Sequence, residues 1–449
     1  MFTMASCNGY QKTIGQLDHD NALVYEDGNL VSGSLEALTR HLVPTSQYCP
    51  DRTYQFAFLL GSRLFIRPHQ LFSQVCQICI CQQDLTSERT SKESLGKFGR
   101  HFMQLLGNWT DIFSYDFRDE RLVQQLKDIT QKVIAINPEL RKDVGILMHN
   151  LFSKLSGLQK YEDLLTRINA EAAQRLLNIL PTTDIYEVCP SPLVFAQQLT
   201  HIELERLGMI GPEEFLDAFS KEPTTETSYK DLKKTNNLES YVQWFNRLSY
   251  FVATEVCMHL KKKNRIRMIE YFIDVAKECI NIGNFNSLMA IIAGLNMSPI
   301  QRLKRTWAKV NKDKFEILEH QMNPSGNFLS YRSSLKAALW RSDGANEDRE
   351  RIVIPFFSLF VKDMYFVNEG CSNRQQNGHI NFEKFWQLAK QVTEFMTWKQ
   401  VECPFDRHPT ILNYVLTNPV FSENSLSLAS FECEEPVANY ERQRFKRLK

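Results

Sequence analysis

Residues 355–370 read PFFSLFVKDMYFVNEG and predict a single amphipathic helix. Pro355 suits the first helical turn, because its fixed φ is already helical and its missing N–H would have no partner there. Gly370 suits the C-terminal cap, where a left-handed residue is common. The fourteen residues from Phe356 to Glu369 would span about 21 Å at the α-helical rise.

The predicted helix has two different faces. On a helical wheel, one stripe carries side chains with polar tips. The members of this stripe are Ser358, Lys362, Tyr365 and Glu369. The apolar residues Phe357, Val361, Met364 and Val367 lie largely elsewhere on the wheel. We expect the apolar residues to hold the helix against a partner helix, which leaves the polar-tipped stripe to face another molecule.

The chain on either side of this stretch is also periodic. Leu35, Leu38 and Leu42 repeat at helical spacing near the N-terminus. Apolar residues at similar spacing recur in 53–64 and through 191–415, whereas no alternating strand pattern is sustained. We therefore predict an all-α protein with two helical domains.

Breaks in this periodicity give the expected domain boundaries. The expected parts are a disordered N-terminal segment (1–29), an N-terminal helical domain (30–170) with a polar loop at 82–93, a connector (171–190) with a helix through Leu180, a larger helical domain (191–416) and a flexible tail (417–449). The tail is assigned by its composition, which is first acidic and then basic.

The composition argues against several classes of protein. The net charge of +1 gives no whole-chain field for nucleic acid, so no nucleic-acid partner is expected. The 11 cysteines in a chain of 449 residues favour reduced thiols over a disulfide framework. The most apolar stretch, 352–361, is far shorter than the roughly 20 residues of a membrane span. We expect a soluble, cytoplasmic protein without a transmembrane segment.

Recognised motifs for cofactor or metal chemistry are absent from the sequence, including the phosphate-binding loop and the zinc-protease motif. Cys76, Cys79 and Cys81 could give thiolates to zinc, but no second pair follows, so small buried cysteines are favoured. The basic run 261–267 is interpreted as a solvated helix end, with contact to phospholipid or to a GTPase as the alternative. We expect no cofactor and no bound metal.

Four segments resemble the catalytic domain of the Ras guanine-nucleotide exchange factor family. They are SPLVFAQQLTHIELE (191–205), QWFNRLS (243–249) followed by FNSLMAIIAGLNMSPIQRL (285–303), the stretch 355–370, and INFEKF (380–385). Upstream, GSLEAL (33–38), FAFLL (56–60) and residues 109–117 resemble the Ras exchanger motif domain that precedes the catalytic one. The likeness covers about 30–415 in the right order, and it is strongest to the RasGEF domain-containing family member 1 group.

The resemblance implies an exchange factor that stimulates GDP release and GTP loading on a small Ras-family GTPase. It favours Rap2 as the partner, with Ras as runner-up, and peripheral recruitment to membranes through partners. No covalent chemistry is implied, and Mg²⁺ belongs to the GTPase. The alternative is a GTPase-binding scaffold with weak exchange. A GTPase-activating protein would need an arginine finger, and the sequence identifies none.

The resemblance also implies roles for the helix at 355–370, as the first arm of a projecting hairpin. Glu369 matches a position that reaches toward the phosphate and Mg²⁺ site of the GTPase. A carboxylate there would pair with the lysine that held the phosphates and would repel phosphate. Tyr365 matches a position that presses into the space near the metal, where the family often has a smaller or aliphatic residue. Without that resemblance, Glu369 would be interpreted as a surface carboxylate.

Four more residues are expected at the GTPase-binding surface. Phe356 is either core or contact, and the two roles can coexist. Asn296 either holds the backbone of a GTPase switch or caps its own helix. Arg302 pairs with a carboxylate either on the GTPase or inside its own domain. Lys362 joins the set as a member of the polar-tipped stripe.

Overall fold

The computed structural model describes residues 23–82, 92–176, 183–219 and 237–449. Within these ranges the chain is predominantly helical, which confirms the all-α prediction. The first helices are α1 (Leu35–Leu42), α2 (Arg52–Gly61), α3 (Pro68–Gln82), α4 (Lys92–Ile112), α5 (Glu120–Ile136), α6 (Arg141–Leu176), α7 (Ile185–Val188), α8 (Pro192–Met209) and α9 (Glu213–Phe219).

Thirteen further helices follow in the described part of the chain. They are α10 (Asn237–Cys257), α11 (Lys262–Ile282), α12 (Phe285–Leu295), α13 (Ser298–Gln301), α14 (Lys304–Trp307), α15 (Asp313–Gln321), α16 (Ser325–Asp343), α17 (Asp348–Arg351), α18 (Phe357–Gly370), α19 (Phe382–Trp398), α20 (Pro409–Thr417), α21 (Glu423–Cys433) and α22 (Asn439–Leu448). The other elements are three 3-10 helices (Ser62–Leu64, Ser114–Arg118 and Pro138–Leu140) and three short strands: β1 (Leu23–Glu26), β2 (Asn29–Gly33) and β3 (Ile380–Asn381).

The chain divides into two compact units. Unit 1 takes the described parts of Met1–Gln159, Gly211–Thr235 and Val361–Phe395, and unit 2 takes those of Lys160–Ile210, Asn236–Phe360 and Met396–Lys449. The units therefore do not follow the expected boundaries at 170 and 190. Helix α18 belongs to both, because its first turn is in unit 2 and the rest is in unit 1.

Unit 1 has an aromatic core with one buried ion pair. Phe58, Phe72 and Trp109 are buried in it. Arg63 makes two hydrogen bonds of 2.7 Å to the carboxylate of Asp116, which also accepts from the indole N–H of Trp109 at 3.0 Å. A buried charge pair is tolerated only with such additional hydrogen bonds.

A three-stranded sheet in unit 1 corrects the prediction of disorder for residues 23–29. Strand β1 pairs antiparallel with β2, and β2 pairs antiparallel with β3. Asp27 and Gly28 connect β1 to β2 with positive φ values of 49° and 81°. Asp-Gly between two short apolar runs is a hairpin signal, because such turns need left-handed residues. Residues 1–22 lie outside the described part of the chain.

Helix α12 lies at the centre of unit 2, and nearly all of its residues are buried. It packs on α8, α10 and α11. At Gly294, a Cβ atom would come within 2.5 Å of the backbone oxygen of Ser249 in α10. Glycine at this position therefore permits the close contact between α10 and α12.

The segment 417–449 is not the flexible tail that its composition suggested. It forms α21 and α22, and Leu426 and Phe431 are buried. The carboxylate of Glu434 accepts hydrogen bonds from the backbone N–H groups of Arg305 and Thr306 at 3.0 and 2.8 Å. The charges that suggested a solvated tail are thus partly used in contacts within unit 2.

Two other expectations fall partly or wholly outside the description. Most of the predicted loop at 82–93, and the end of the helix predicted through Leu180, lie outside the described residues.

Among the described helices, none has the length and apolar character needed to cross a bilayer. In α3, Cys79 is buried and Cys76 is partly buried, but Cys81 is exposed, so the prediction of buried cysteines was wrong for Cys81. Burial raises the pKa of Cys79, and it raises that of Cys76 to about 12. These two cysteines are therefore thiols at neutral pH, which fits the interpretation as small apolar residues.

Candidate functional site

The segment before α18 is held by backbone hydrogen bonds in unit 2. The N–H of Ile354 donates to the carbonyl of Gly283 at 2.9 Å, and the N–H of Phe285 donates to the carbonyl of Ile354 at 2.9 Å. Gly283 has a φ of 99°, and a Cβ there would lie 2.3 Å from the carbonyl oxygen of Ile352. The close approach at Gly283 therefore fixes where α18 begins.

A buried carboxylate stabilises the start of α18 through one intermediate residue. The side-chain oxygen of Asn286 accepts from the N–H of Phe357 at 3.2 Å, and the Asn286 amide group donates to Glu203 at 3.0 Å. Glu203 also accepts from three other side chains: Tyr241 at 2.5 Å, Ser287 at 2.6 Å and Trp244 at 3.1 Å.

The Glu203 network is fully buried, and burial raises the pKa of the Glu203 carboxyl above its ordinary value. The four donated hydrogen bonds act in the opposite direction, because they favour the charged form. One carboxyl group thereby orders residues from α8, α10 and α12 around the N-terminus of α18. Sequence analysis gave Glu203 no role, although it lies inside the quoted segment 191–205.

Phe356 immediately precedes α18 and is half-buried. Its ring packs against Phe245 and Phe328, at centroid distances of 5.7 and 5.9 Å, and against Tyr331 at 6.3 Å. Its N–H donates to the hydroxyl of Tyr331 at 2.8 Å. Phe328 lies in the left-handed region with a φ of 59°, which is rare for a bulky residue. Phe356 is thus part of the packing, and its half-exposed ring also leaves the contact role open.

Helix α18 begins two residues after the predicted start at Pro355. It includes Gly370 as its last residue, and the φ of Gly370 is not positive, so the prediction of a left-handed cap at Gly370 was wrong. Phe357, Leu359 and Met364 are buried. Of the polar-tipped stripe, Lys362, Tyr365 and Glu369 are exposed and Ser358 is half-buried. Of the four apolar residues expected to pack, Phe357 and Met364 are thus buried, whereas Val361 and Val367 are only half-buried.

Phe366 is an exposed residue of α18 that sequence analysis missed. It is 58% exposed, against 43% for its neighbour Tyr365. Their ring centroids are 6.2 Å apart, and the ammonium group of Lys362 lies 5.6 Å from the centre of the Phe366 ring. The exposed face of α18 thus carries two aromatic rings and a cation. Large exposed apolar side chains grouped in this way mark interaction surfaces.

Lys384 caps the other end of α18, within unit 1. Its buried ammonium group donates to the carbonyls of Asn368 and Cys371 at 2.6 and 3.1 Å, and to the side-chain oxygen of Asn373 at 2.5 Å. Burial lowers the pKa of Lys384. A cation is stabilising at a helix C-terminus, where carbonyl groups lack intrahelical partners. Lys384 therefore fixes the end of α18 that carries Glu369.

Asn296 caps its own helix, which is one of the two roles expected for it. Its N–H donates to the Ile292 carbonyl at 2.9 Å, and its side-chain amide donates to Glu319 at 2.7 Å. Its side-chain oxygen accepts from Gln301 at 3.0 Å. Both ends of the Asn296 side chain are thus engaged within unit 2, and a contact with a GTPase would have to replace one of these bonds.

Arg302 pairs with a carboxylate inside its own unit, which is the second of the two roles expected for it. The guanidinium group pairs with Glu441 at 2.9 Å and donates to the carbonyls of Ser430 and Glu434, both at 2.9 Å. It also lies 4.6 Å from the centre of the Phe431 ring. Because these contacts use its charge and its donors, we assign Arg302 to the packing of α21 and α22, and not to the GTPase-binding surface.

Comparison with known protein families agrees with this helical architecture. Residues 194–386 match the RasGEF domain, and residues 29–129 match the RasGEF N-terminal motif. The chain belongs to the Ras guanine-nucleotide exchange factor family, whose members exchange nucleotide without covalent chemistry. This membership supports action as an exchange factor on a Ras-family GTPase.

Curated relatives match nearly the whole chain. Ras-GEF domain-containing family member 1B of Homo sapiens is 55% identical over 99% of this chain and 97% of its own length. Member 1B-A of Danio rerio is 56% identical over 99% of this chain and 88% of its own length. Member 1C of Macaca fascicularis is 52% identical over 94% of this chain and 91% of its own length. The match thus includes α20–α22, beyond the RasGEF domain.

Proposed function

We propose that this chain accelerates GDP release and GTP loading on Rap2, with Ras as the alternative substrate, by placing α18 near the phosphate and Mg²⁺ site of the GTPase. One observation carries the proposal. The exposed face of α18, with Tyr365, Phe366 and Glu369, lies on a helix whose two ends are both held by buried polar groups. A rigid helix can displace a bound nucleotide without first being ordered itself, so less of its binding energy is lost.

In this proposal, each exposed residue of α18 has a distinct task. Glu369 pairs with the GTPase lysine that otherwise holds the phosphates, and it repels phosphate by like charge. Tyr365 and Phe366 occupy the space near the metal and the adjoining apolar surface of the GTPase. Lys362 contacts the GTPase from the same face. Phe356 acts from the base of the helix by fixing its direction.

Exchange then follows from differential binding. The protein binds the nucleotide-free GTPase more tightly than the nucleotide-bound form, and about 1.4 kcal/mol of that difference permits about tenfold faster release. The side chains of α18 take part through contacts that form fully only when the nucleotide leaves. Phe356 and Asn296 belong to the same proposed binding set, and Arg302 does not.

We infer that the N-terminal region supports α19 through contacts inside unit 1. Strand β3, which precedes α19, pairs with β2. The indole N–H of Trp386 donates to the carbonyl of Leu30 at 3.0 Å, and the ring of Phe382 stacks on Tyr54 at 5.3 Å. A Cβ at Gly61 would lie 2.4 Å from the Phe385 ring. We infer that deleting residues 30–170 loosens α19 and impairs exchange by the remaining fragment.

The decisive experiment is release of fluorescent GDP from purified Rap2, Ras and Ral, with and without the full chain. We expect acceleration on Rap2, and its loss in Phe356→Ala. The exposed substitution Lys390→Ala, on α19, is the matched control. Acceleration on Ras alone would replace the substrate assignment. No acceleration on any of them, with retained binding to nucleotide-free GTPase, would replace the proposal by the scaffold alternative.

A further inference from the structure

Helix α22 has an inner face that packs and an outer face that is exposed. The ring of Phe445 contacts Phe431 of α21 at 5.5 Å, and Glu441 points inward to pair with Arg302. Glu441 also accepts hydrogen bonds from the N–H groups of Val437 and Ala438 at 3.0 and 3.3 Å. The only carboxylate side chain of the helix is therefore used on its inner side.

The outer face of α22 is cationic. Its exposed cations are Arg442, Lys446, Arg447 and, just after the helix, Lys449. Two strongly exposed apolar side chains lie at its N-terminal end, Val437 at 74% and Tyr440 at 72% exposure. We call this surface the basic face of α22. It combines positive charge with apolar side chains, as interfacial amphipathic helices do.

A second group of the same character lies in unit 2, next to residues that contact the end of α21. Lys261, Lys262 and Lys263 are exposed, and Leu260 before them is 69% exposed. The thiol of Cys433, at the end of α21, donates to the carbonyl of His259 at 3.5 Å. We call residues 260–263 the lysine corner.

The buried side chain of Arg265 strengthens the connection between the two groups. It donates to the carbonyls of His259 and Leu260 at 3.0 and 2.7 Å and lies 3.7 Å from Glu434. Exposed carboxylates near the two groups are Glu432 and Glu435 in the linking segment, Glu423, which pairs with Arg444 of α22 at 3.5 Å, and Glu187, which interacts with His259. The seven exposed cations of the two groups therefore outnumber the four exposed acids near them.

We propose that the basic face of α22, together with the lysine corner, docks this protein on a membrane surface rich in anionic phospholipid. Charge complementarity favours an anionic partner, because each cation near such a surface strengthens association by about fivefold. The aliphatic side chains Val437 and Leu260 favour a bilayer over nucleic acid, since they offer no stacking face but can enter the boundary between headgroups and acyl chains. Tyr440 suits the same depth, because its ring is apolar and its hydroxyl is polar.

This inference does not depend on exchange activity, so it can fail separately from the proposed function. The test is co-sedimentation of the full chain with vesicles of phosphatidylcholine, with or without phosphatidylserine. We expect binding only to the phosphatidylserine vesicles, and loss of that binding when salt rises from about 0.1 M to about 1 M. Vesicle binding that is equal with both lipids, or absent with both, would overturn the proposal.

Substitutions of exposed cations test which residues form the membrane-binding surface. Binding to phosphatidylserine vesicles should weaken by about a hundredfold in the α22 triple variant, which combines Lys446→Ala, Arg447→Ala and Lys449→Ala. We expect a similar loss in the lysine-corner triple variant, which combines Lys261→Ala, Lys262→Ala and Lys263→Ala. The matched control removes three exposed cations of unit 1: Lys132→Ala, Arg141→Ala and Lys142→Ala. Equal losses in the control, or none in the α22 triple, would reject the assignment. An unchanged lysine-corner triple would remove that corner from the surface.

Two further measurements distinguish an anionic membrane from an acidic macromolecule as the partner of this surface. Tyr440→Ser keeps every charge and should still weaken vesicle binding, whereas a purely ionic surface would not respond. Displacement of the protein from vesicles by single-stranded polyuridylate at low concentration would indicate a nucleic-acid surface instead, and would contradict the proposal. Melting curves and exchange on a GTPase in solution should remain unchanged in all these variants.

Discussion

The two ends of α18 are stabilised by opposite chemistry. At its start, the N–H of Phe357 meets the oxygen of Asn286, which is held in turn by the buried carboxylate of Glu203. At its end, the ammonium group of Lys384 meets the carbonyls of Asn368 and Cys371. At the C-terminal end this arrangement matches the helix dipole, which favours positive charge there.

The two ends also differ in how many elements depend on them. Glu203 joins side chains from α10 and α12, so its loss would disturb the core of unit 2. Lys384 joins only the end of α18 and the loop that follows it. We infer that the start of α18 is fixed as part of the fold, and that the end is fixed mainly for the position of Glu369.

The largest expected effect comes from Glu203→Ala. It leaves four buried donors without their acceptor, and removing one partner from a buried charged network costs about 3–5 kcal/mol. We expect that loss in urea unfolding, together with loss of exchange. Tyr241→Phe removes only one of the four donors and should cost about 1 kcal/mol. Equal stability of Glu203→Ala and wild type would show that the network does not anchor α18.

Phe356→Ala should reduce exchange more than Glu369→Ala does. The first substitution removes ring contacts with Phe245, Phe328 and Tyr331, and so loosens the direction of α18 as well as a proposed contact. We expect a difference of at least about tenfold, or about 1.4 kcal/mol, in the rate of GDP release. Equal and small losses in both variants would contradict this ranking.

Lys384→Met tests the other end of the helix. It leaves the last carbonyls of α18 without their buried donor, at an expected cost of about 1.5–3 kcal/mol in stability. Exchange should fall by about tenfold through an altered maximal rate, since the start of the helix is unchanged. Lys390→Met, an exposed change on the same α19, is the control and should do neither. If Lys384→Met remains folded and shows normal exchange, Lys384 contributes to stability only and does not position Glu369 for exchange.

The sequence predicted α18 and its faces because helical periodicity is local. It could not predict Glu203 and Lys384 as anchors, because the partners of Glu203 lie 38–84 residues away and those of Lys384 lie in another element. Phe366 was missed because the stripe was chosen for polar tips.

The interpretation of Arg302 depended on the tail. Its partners Ser430, Glu434 and Glu441 all lie in the segment expected to be flexible, so the internal alternative had no visible partner in the sequence. The hairpin at Asp27 and Gly28 was different, because its turn signal was present and was not used. Disorder was predicted there from polar composition without periodicity, and in the tail from its acidic and then basic composition.

The smallest expected effect is a difference in pH dependence between wild type and Glu203→Gln. Burial raises the pKa of Glu203, so the folded state holds its proton more tightly than the unfolded state does. Its contribution to the free energy of unfolding is therefore complete below the unfolded pKa of about 4.3 and is lost as pH rises through the folded pKa. Glu203→Gln carries no such proton, so its unfolding free energy should fall less steeply over that range. Other buried carboxyl groups titrate in both proteins, and their contributions cancel in the difference. Parallel curves would mean that the four donors fully offset the burial of Glu203, and the start of α18 would then be insensitive to pH.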